Sequence, residues 1–292
     1  MPAERTTGAT PGPDADGEAR GVYGIRLRGI GGANELLVDA DRRWPTMSVV
    51  STVRESEPVE ERVTDTHADL NLKTGGRVSV DREGGLAEFV VPRPLSDEEL
   101  IHPYLAPVAS VMAHWLRRPC FHAGAFISGG GAWALAGDRE AGKSSLLAWL
   151  ALHGHAVLAD DIVVLEDSNA FAGPRSIDLR SDAAAHLEAG RGIGVVGARA
   201  RWRVALSTIP SQVPFRGWIF LSWGSAVEAE SLAGPERLVR LLGQRTLRIV
   251  PHDPAMHLAL AALPAWEVRR PKDWRLVGEV AERLLDLTSS AS

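Results

Sequence analysis

Apolar residues alternate with polar ones in six short segments near the start of the chain: Val22–Leu27, Glu35–Val38, Ser48–Val53, Asp69–Leu72, Val78–Val80 and Leu86–Val91. A period of two marks half-buried strands, and the Gly31-Gly32, Gly75-Gly76 and Gly84-Gly85 pairs between them are turn signals. This spacing predicts a small, mostly antiparallel β region over residues 20–94, closed by Pro92-Arg93-Pro94. Residues 1–19 carry no apolar period and read as a disordered leader; residues 289–292 read as a frayed tail. After the β region the period lengthens. Ser96 and Glu99 stand at the cap and capping-box positions of a helix running towards Trp115–Arg118. From Cys120 the chain predicts strands over Cys120–Ile127 and Ala132–Ala136, a helix over Ser144–Leu152 and a strand over Ala156–Ala159. A strand over Trp218–Trp223 and helices over Met256–Leu263 and Trp274–Leu287 complete the pattern. Alternating strand and helix is α/β punctuation, which assigns residues 95–288 to an α/β domain.

Composition narrows the class without naming a chemistry. A length of 292 residues, 45% of them hydrophobic and 24% charged, is enough to bury a core without disulfides. The single cysteine, Cys120, excludes an internal disulfide framework and a cysteine-rich zinc module, and fits a reducing compartment. A net charge of −5 argues against general nucleic-acid binding. No apolar run reaches the roughly 18 residues of a spanning helix, so the expectation is a cytoplasmic protein without a membrane partner. Basic charge is carried by 29 arginines and only three lysines, Lys73, Lys143 and Lys272. Each lysine therefore stands out.

Lys143 lies in Gly137-Asp138-Arg139-Glu140-Ala141-Gly142-Lys143-Ser144, which satisfies G-x-x-x-x-G-K-[ST]. Two glycines let backbone N–H groups wrap a polyphosphate, the lysine reaches the terminal phosphates and the hydroxyl binds Mg²⁺. The context agrees: an apolar strand enters the loop, and a helix beginning Ser144-Ser145 leaves it. Residues 137–145 are thus the expected nucleotide site, with ATP and Mg²⁺ as cofactors. The following strand ends in Asp160-Asp161, 17 and 18 residues after Lys143. Running parallel to the first strand, it returns both carboxylates to the phosphate edge. Their side chains alternate, so one can complete a Mg²⁺ shell while the other accepts a proton from an attacking hydroxyl. Upstream, Ser128-Gly129-Gly130-Gly131 signals a hairpin whose paired positions sum to about 259, placing His122 opposite Gly137.

His122-Ala123-Gly124-Ala125, the loop, and His153-Gly154-His155-Ala156-Val157-Leu158-Ala159-Asp160-Asp161 together resemble the HPr kinase/phosphorylase family. They are most similar to the HPr kinase-like serine kinases found beside genes for ribosomally made peptides such as lasso peptides. The resemblance is specific over roughly residues 119–167. It implies a P-loop kinase core of the HPr kinase type, with His122, Lys143 and Asp161 as catalytic residues and Ser144 on magnesium. Asp161 would be the base and Asp160 falls on the first aspartate of the pair. Leu187-Glu188-Ala189-Gly190-Arg191-Gly192 approximates the family's metal-glutamate signature with one inserted residue, which makes Glu188 a third candidate metal ligand beside Ser144 and Asp160. Relatives form homo-oligomers, and the residues here fix no subunit number.

The leading expectation is a Mg-ATP-dependent kinase acting on a serine of a peptide or small protein, such as a ribosomally made precursor. Arg175, Arg180, Arg201 and Arg203 are candidates for neutralising transferred charge. A small-metabolite kinase and a non-catalytic nucleotide-binding module are the alternatives.

Overall fold

The computed structural model describes residues 19–73 and 75–290, so most of the expected leader and the last two tail residues lie outside the described residues. Residues 20–91 form an eight-stranded sheet. Its strands are β1 (Arg20–Val22), β2 (Ile25–Arg28), β3 (Val38–Asp39), β4 (Thr46–Val53), β5 (Arg62–Val63), β6 (His67–Asn71), β7 (Arg77–Asp81) and β8 (Leu86–Val91). They lie in the order β3-β1-β2-β4-β8-β7-β6-β5. The region is mostly antiparallel, as expected: the β1-β2, β1-β3, β5-β6, β6-β7 and β7-β8 pairs all run antiparallel, and the exception is the central strand. β4 lies at the centre and pairs parallel with both β2 and β8, so the sheet is mixed. The expected strand over Val22–Leu27 is also two strands, because Tyr23 (φ +57) and Gly24 (φ +75) turn the chain between them.

A capping box at Ser96 and Glu99 starts the helical segment as the sequence predicts. The segment is not one helix. A single turn, α1 (Asp97–Glu99), gives way at His102 (φ −144, ψ 116) before Pro103, and α2 (Leu105–Trp115) follows. The residue before a proline avoids the α region, which accounts for the break.

The remainder builds the second, larger sheet. β9 (Cys120–Phe121), β10 (Gly124–Ser128), β11 (Gly131–Gly137), α3 (Lys143–Leu152), β12 (Val157–Ala159), β13 (Val163–Glu166) and β14 (Asn169–Phe171) come first. β15 (Ser176–Leu179), α4 (Ser181–Leu187), β16 (Arg191–Val196) and β17 (Arg199–Ala205) follow; their three strands form a small separate sheet. The chain then runs through β18 (Gln212–Trp223), β19 (Glu228–Ser231), α5 (Gly234–Gly243), α6 (Pro254–Ala261), β20 (Ala265–Arg270) and α7 (Val277–Ser289). β18 is the spine, parallel to β11 on one side and to β20 on the other. α7 continues through Ser289, where a frayed tail was expected. Buried Thr288 bonds the Ser128 hydroxyl at 2.8 Å, and the Ser289 and Ser290 hydroxyls donate back to the Asp286 carbonyl.

Two apolar clusters hold these layers. One runs from Val22 through Phe89 and Leu105 to Trp218 and Ala265, so the β region and the α/β unit share a core. The other packs Leu146, Leu147 and Leu150 of α3 against Leu135, Ile219 and Leu221 and against Val280 and Leu284 of α7. Trp133 and Trp218 are fully buried, as their apolar strand contexts predict.

A buried ionic chain also crosses the layers. Arg203 of β17 grips Asp178 of β15 with two bonds of 2.7 Å and donates to Glu98 at 3.0 Å and to the His102 carbonyl at 2.8 Å. Removing one member of a buried pair strands the other charge, so Arg203→Ala should cost about 3–5 kcal/mol in urea unfolding. Arg191, an exposed residue on the same Glu98, should cost under about 1 kcal/mol when changed to alanine. Equal losses would contradict this picture.

Candidate functional site

β11 delivers Gly137 to the carboxyl edge of the second sheet, and residues 138–142 turn there into α3. The turn needs its glycines. Gly137 has φ +146, and a Cβ on it would lie 2.7 Å from the Leu221 carbonyl oxygen. Gly142 has φ +80, and a Cβ there would lie 2.3 Å from an Arg270 nitrogen. Lys143, only 8% exposed, folds back so that Nζ donates to the carbonyls of Gly137 (2.8 Å) and Asp138 (3.2 Å). Burial lowers its pKa, while Asp160, Asp161 and Asp138 act to raise it. Asp138 and Arg139 are exposed, Ala141 is buried, and Ser144 and Ser145 are half-buried on the first turn of α3. Exposed Glu140 is held by Arg180 at 2.9 Å and by Arg199 at 3.4 Å.

The carboxylates arrive at the same edge. β12 pairs antiparallel with β10, and β10 pairs antiparallel with β11, so β12 runs in the direction of β11 with β10 between them. Asp160 is 5% exposed, and its Oδ1 has no hydrogen-bond partner. The Ser144 hydroxyl faces the carboxylate, and His102 Nε2 stands 4.0 Å from Oδ2. Burial, reinforced by the Asp161 charge, raises the Asp160 pKa to about 7. Asp161 is half-buried beside His122.

The hairpin register is as expected, with Gly124 opposite Leu135 and Ala125 opposite Ala134. Its ladder ends at Gly124, however, so His122 is not paired with Gly137. The chain is pulled the other way: His122 N–H donates to the Gln244 carbonyl at 2.6 Å, and Phe121 bridges to Arg245. His122 is exposed, yet its ring still feels the charges of the site. Desolvation and then the Lys143 ammonium lower its pKa, while Asp161 opposes them.

Glu188 stands apart. It is the exposed left-handed C-cap of α4, and among the described residues no ion pair or hydrogen bond ties it to Ser144, Asp160 or Asp161. Among the described residues no group of three His, Cys, Asp or Glu side chains is arranged to hold a metal. Two of the candidate arginines are also committed elsewhere. Arg175 spends its guanidinium on the carbonyls of Val157, Leu158 and Ser207, and Arg203 on Asp178 and Glu98.

Three residues at this edge escaped the sequence reading. Tyr23, from the β1–β2 turn, is 2% exposed; its pKa is raised by burial first and then by the Asp161 and Asp160 charges. His102 sits between Asp160 and Asp178, whose Oδ2 is 3.8 Å from its Nε2. Arg270, at the end of β20, donates to the Ala141 carbonyl at 2.8 Å from beneath the loop. Only the His-Pro dipeptide was a usable local signal, since it marks a helix break.

No protein-family model matches the chain, and no curated protein matches it. Among solved structures it is similar to the Hpr(Ser) kinase/phosphatase from Coxiella burnetii, at 14% identity and a TM-score of 0.29, covering 59% of this chain and 92% of that one. A likeness of this size adds nothing to the chemistry of the site, which rests on its own residues. No helix among the described residues is long and apolar enough to cross a membrane.

A carboxyl whose pKa rises on folding lowers stability as pH climbs from its unfolded value towards its folded one, because the native state then holds the extra proton. Asp160→Asn should therefore raise the melting temperature at pH 8 in EDTA, where the buried carboxylate is ionised, and change it little at pH 4. A lower melting temperature at pH 8 would mean that the charge is well solvated in place.

Proposed function

We propose that the chain is a Mg-ATP-dependent kinase that transfers the γ-phosphate to a serine hydroxyl of a peptide or small protein. The observation that carries this reading is the meeting of the glycine loop, Lys143 and the Asp160–Asp161 pair at one sheet edge. In the proposed complex the loop amides and Lys143 bind the β- and γ-phosphates, for which Lys143 exchanges its two carbonyl partners for phosphate oxygens. The site's donor set fits a hard divalent cation: the orphaned Oδ1 of Asp160 and the facing Ser144 hydroxyl are both oxygens. Bound Mg²⁺ would neutralise charge on the β/γ oxygens. Glu188 is left out of this set, because nothing joins it to the other two.

The two aspartates divide the work by burial. Asp160 is closed off and suits a metal shell; Asp161 is partly open, beside His122, and suits a hydroxyl that must come and go. The serine Oγ attacks the γ-phosphorus and its proton passes to the Asp161 carboxylate. The bond from that phosphorus to the β–γ bridging oxygen breaks, releasing ADP. His122, its pKa lowered, offers a neutral imidazole to the transferred group. Arg180, tethered to the loop through Glu140, is the best-placed of the candidate arginines to add positive charge near the phosphates.

The test is Asp161→Asn assayed twice. ATP binding measured by calorimetry should stay within about threefold, while phosphate transfer to a serine peptide should fall about 10²–10⁴-fold. Full transfer activity in the variant would remove Asp161 from the mechanism. Failure of the wild-type chain to transfer phosphate despite tight ATP binding would replace the kinase reading with a binding module.

A further inference from the structure

Trp223 is out of place for a residue at the end of a central strand. It is 42% exposed, whereas Ile219 and Leu221, the preceding residues on the same face of β18, are buried under α3. β18 is in parallel register with β11, Leu221 lying opposite Gly137. Two residues further on, Trp223 therefore projects past the carboxyl edge, on the helix side, beside the loop. The Gly142 contact gives the proximity directly: a Cβ built on that glycine would lie 3.6 Å from Cη2 of the Trp223 ring.

The ring is also held in position. Arg270, opposite Trp223 in the β18–β20 ladder, lies over it with the guanidinium carbon 4.5 Å from the ring centroid. The same guanidinium is anchored to the loop through the Ala141 carbonyl, and the Gly224 N–H bonds the Arg270 carbonyl at 2.9 Å. Arg270 is 6% exposed, its Nε has no partner, and burial lowers its pKa to about 10. A buried cation thus backs a half-open indole at the mouth of a phosphate loop. Keeping so large an apolar surface in water lowers stability relative to covering it, and an aromatic face backed by a cation is a good stacking partner for a flat heterocycle.

We propose that Trp223 forms the nucleobase subsite of this chain, the base of the bound nucleotide stacking on the indole face left open by Arg270. This rests on the nucleotide reading above and adds where the heterocycle lies. Arg270 is a positioning residue in this arrangement, fixing the ring to the loop so that base and phosphates are bound in one register. Stacking acts on the base alone, so the phosphates should be held equally well with or without the indole.

That separation supplies the experiment. The full chain in Mg²⁺ is titrated calorimetrically with ADP and, separately, with inorganic pyrophosphate, as wild type, Trp223→Ala and Trp223→Phe. Trp223→Ala should weaken ADP by about fivefold or more, the low end of base–aromatic stacking, and leave pyrophosphate within about twofold. Trp223→Phe should recover most of the ADP affinity, since it keeps a stacking face. Unchanged ADP affinity in Trp223→Ala would overturn the subsite, as would an equal loss for both ligands, which would make the ring a prop for the loop. If the wild type binds neither ligand, the nucleotide reading itself fails, and the subsite with it.

Discussion

A carboxylate enclosed by protein is the constraint on which the site depends. Asp160 follows the end of β12, with an Oδ1 that has no hydrogen-bond partner, in a place where ionisation is disfavoured both by burial and by its neighbour Asp161. Such a group is tolerated when it is protonated, paired or bound to a cation. The His102 imidazole is too distant for a direct bond, and the Lys143 ammonium is turned onto backbone carbonyls. In the proposed reading a cation shared between Asp160 and Ser144 would resolve the conflict and give the glycine loop and the aspartate pair a common purpose.

The β region takes part in building this edge. Its apolar residues join the larger core without interruption, its first turn brings Tyr23 to the aspartates, and the helical segment behind it brings His102 and Glu98. Arg203 and Asp178 lock that segment to the small sheet of β15, β16 and β17. An acceptor entering beside Asp161 would therefore meet a surface contributed by both parts of the chain. In the sequence the two parts look like separate modules, because a shared core has no signature in either segment alone.

What the sequence made legible was local chemistry. The loop lies between its strand and helix, the hairpin has the predicted register, and Ser96 with Glu99 forms the predicted cap. Each of these is determined by a handful of adjacent residues. The features that the sequence did not reveal depend on distant ones. The parallel joints of β4 need partners many residues away, and His122 leaves the hairpin because Gln244 and Arg245 draw it off. Glu188 was a candidate through a signature one residue too long, and the fold makes it the exposed left-handed cap of α4 with no bond to Ser144 or the aspartates among the described residues. Arg175 and Arg203 look like free cations in the sequence and are consumed by buried carbonyls and carboxylates in the fold. Lys143 is the counterexample. In a chain with 29 arginines and three lysines, the lysine that stood out in the sequence is the one the fold buries at the loop, its ammonium between two loop carbonyls.

The most direct test of the central claim is Mn²⁺ affinity, measured by electron paramagnetic resonance with a non-hydrolysable ATP analogue bound. The wild type is compared with Asp160→Asn and Asp161→Asn. If Asp160 is the buried carboxylate that a cation compensates, Asp160→Asn loses about tenfold or more in Mn²⁺ affinity and Asp161→Asn stays close to wild type. The reverse order, or equal affinity in all three, would contradict the account.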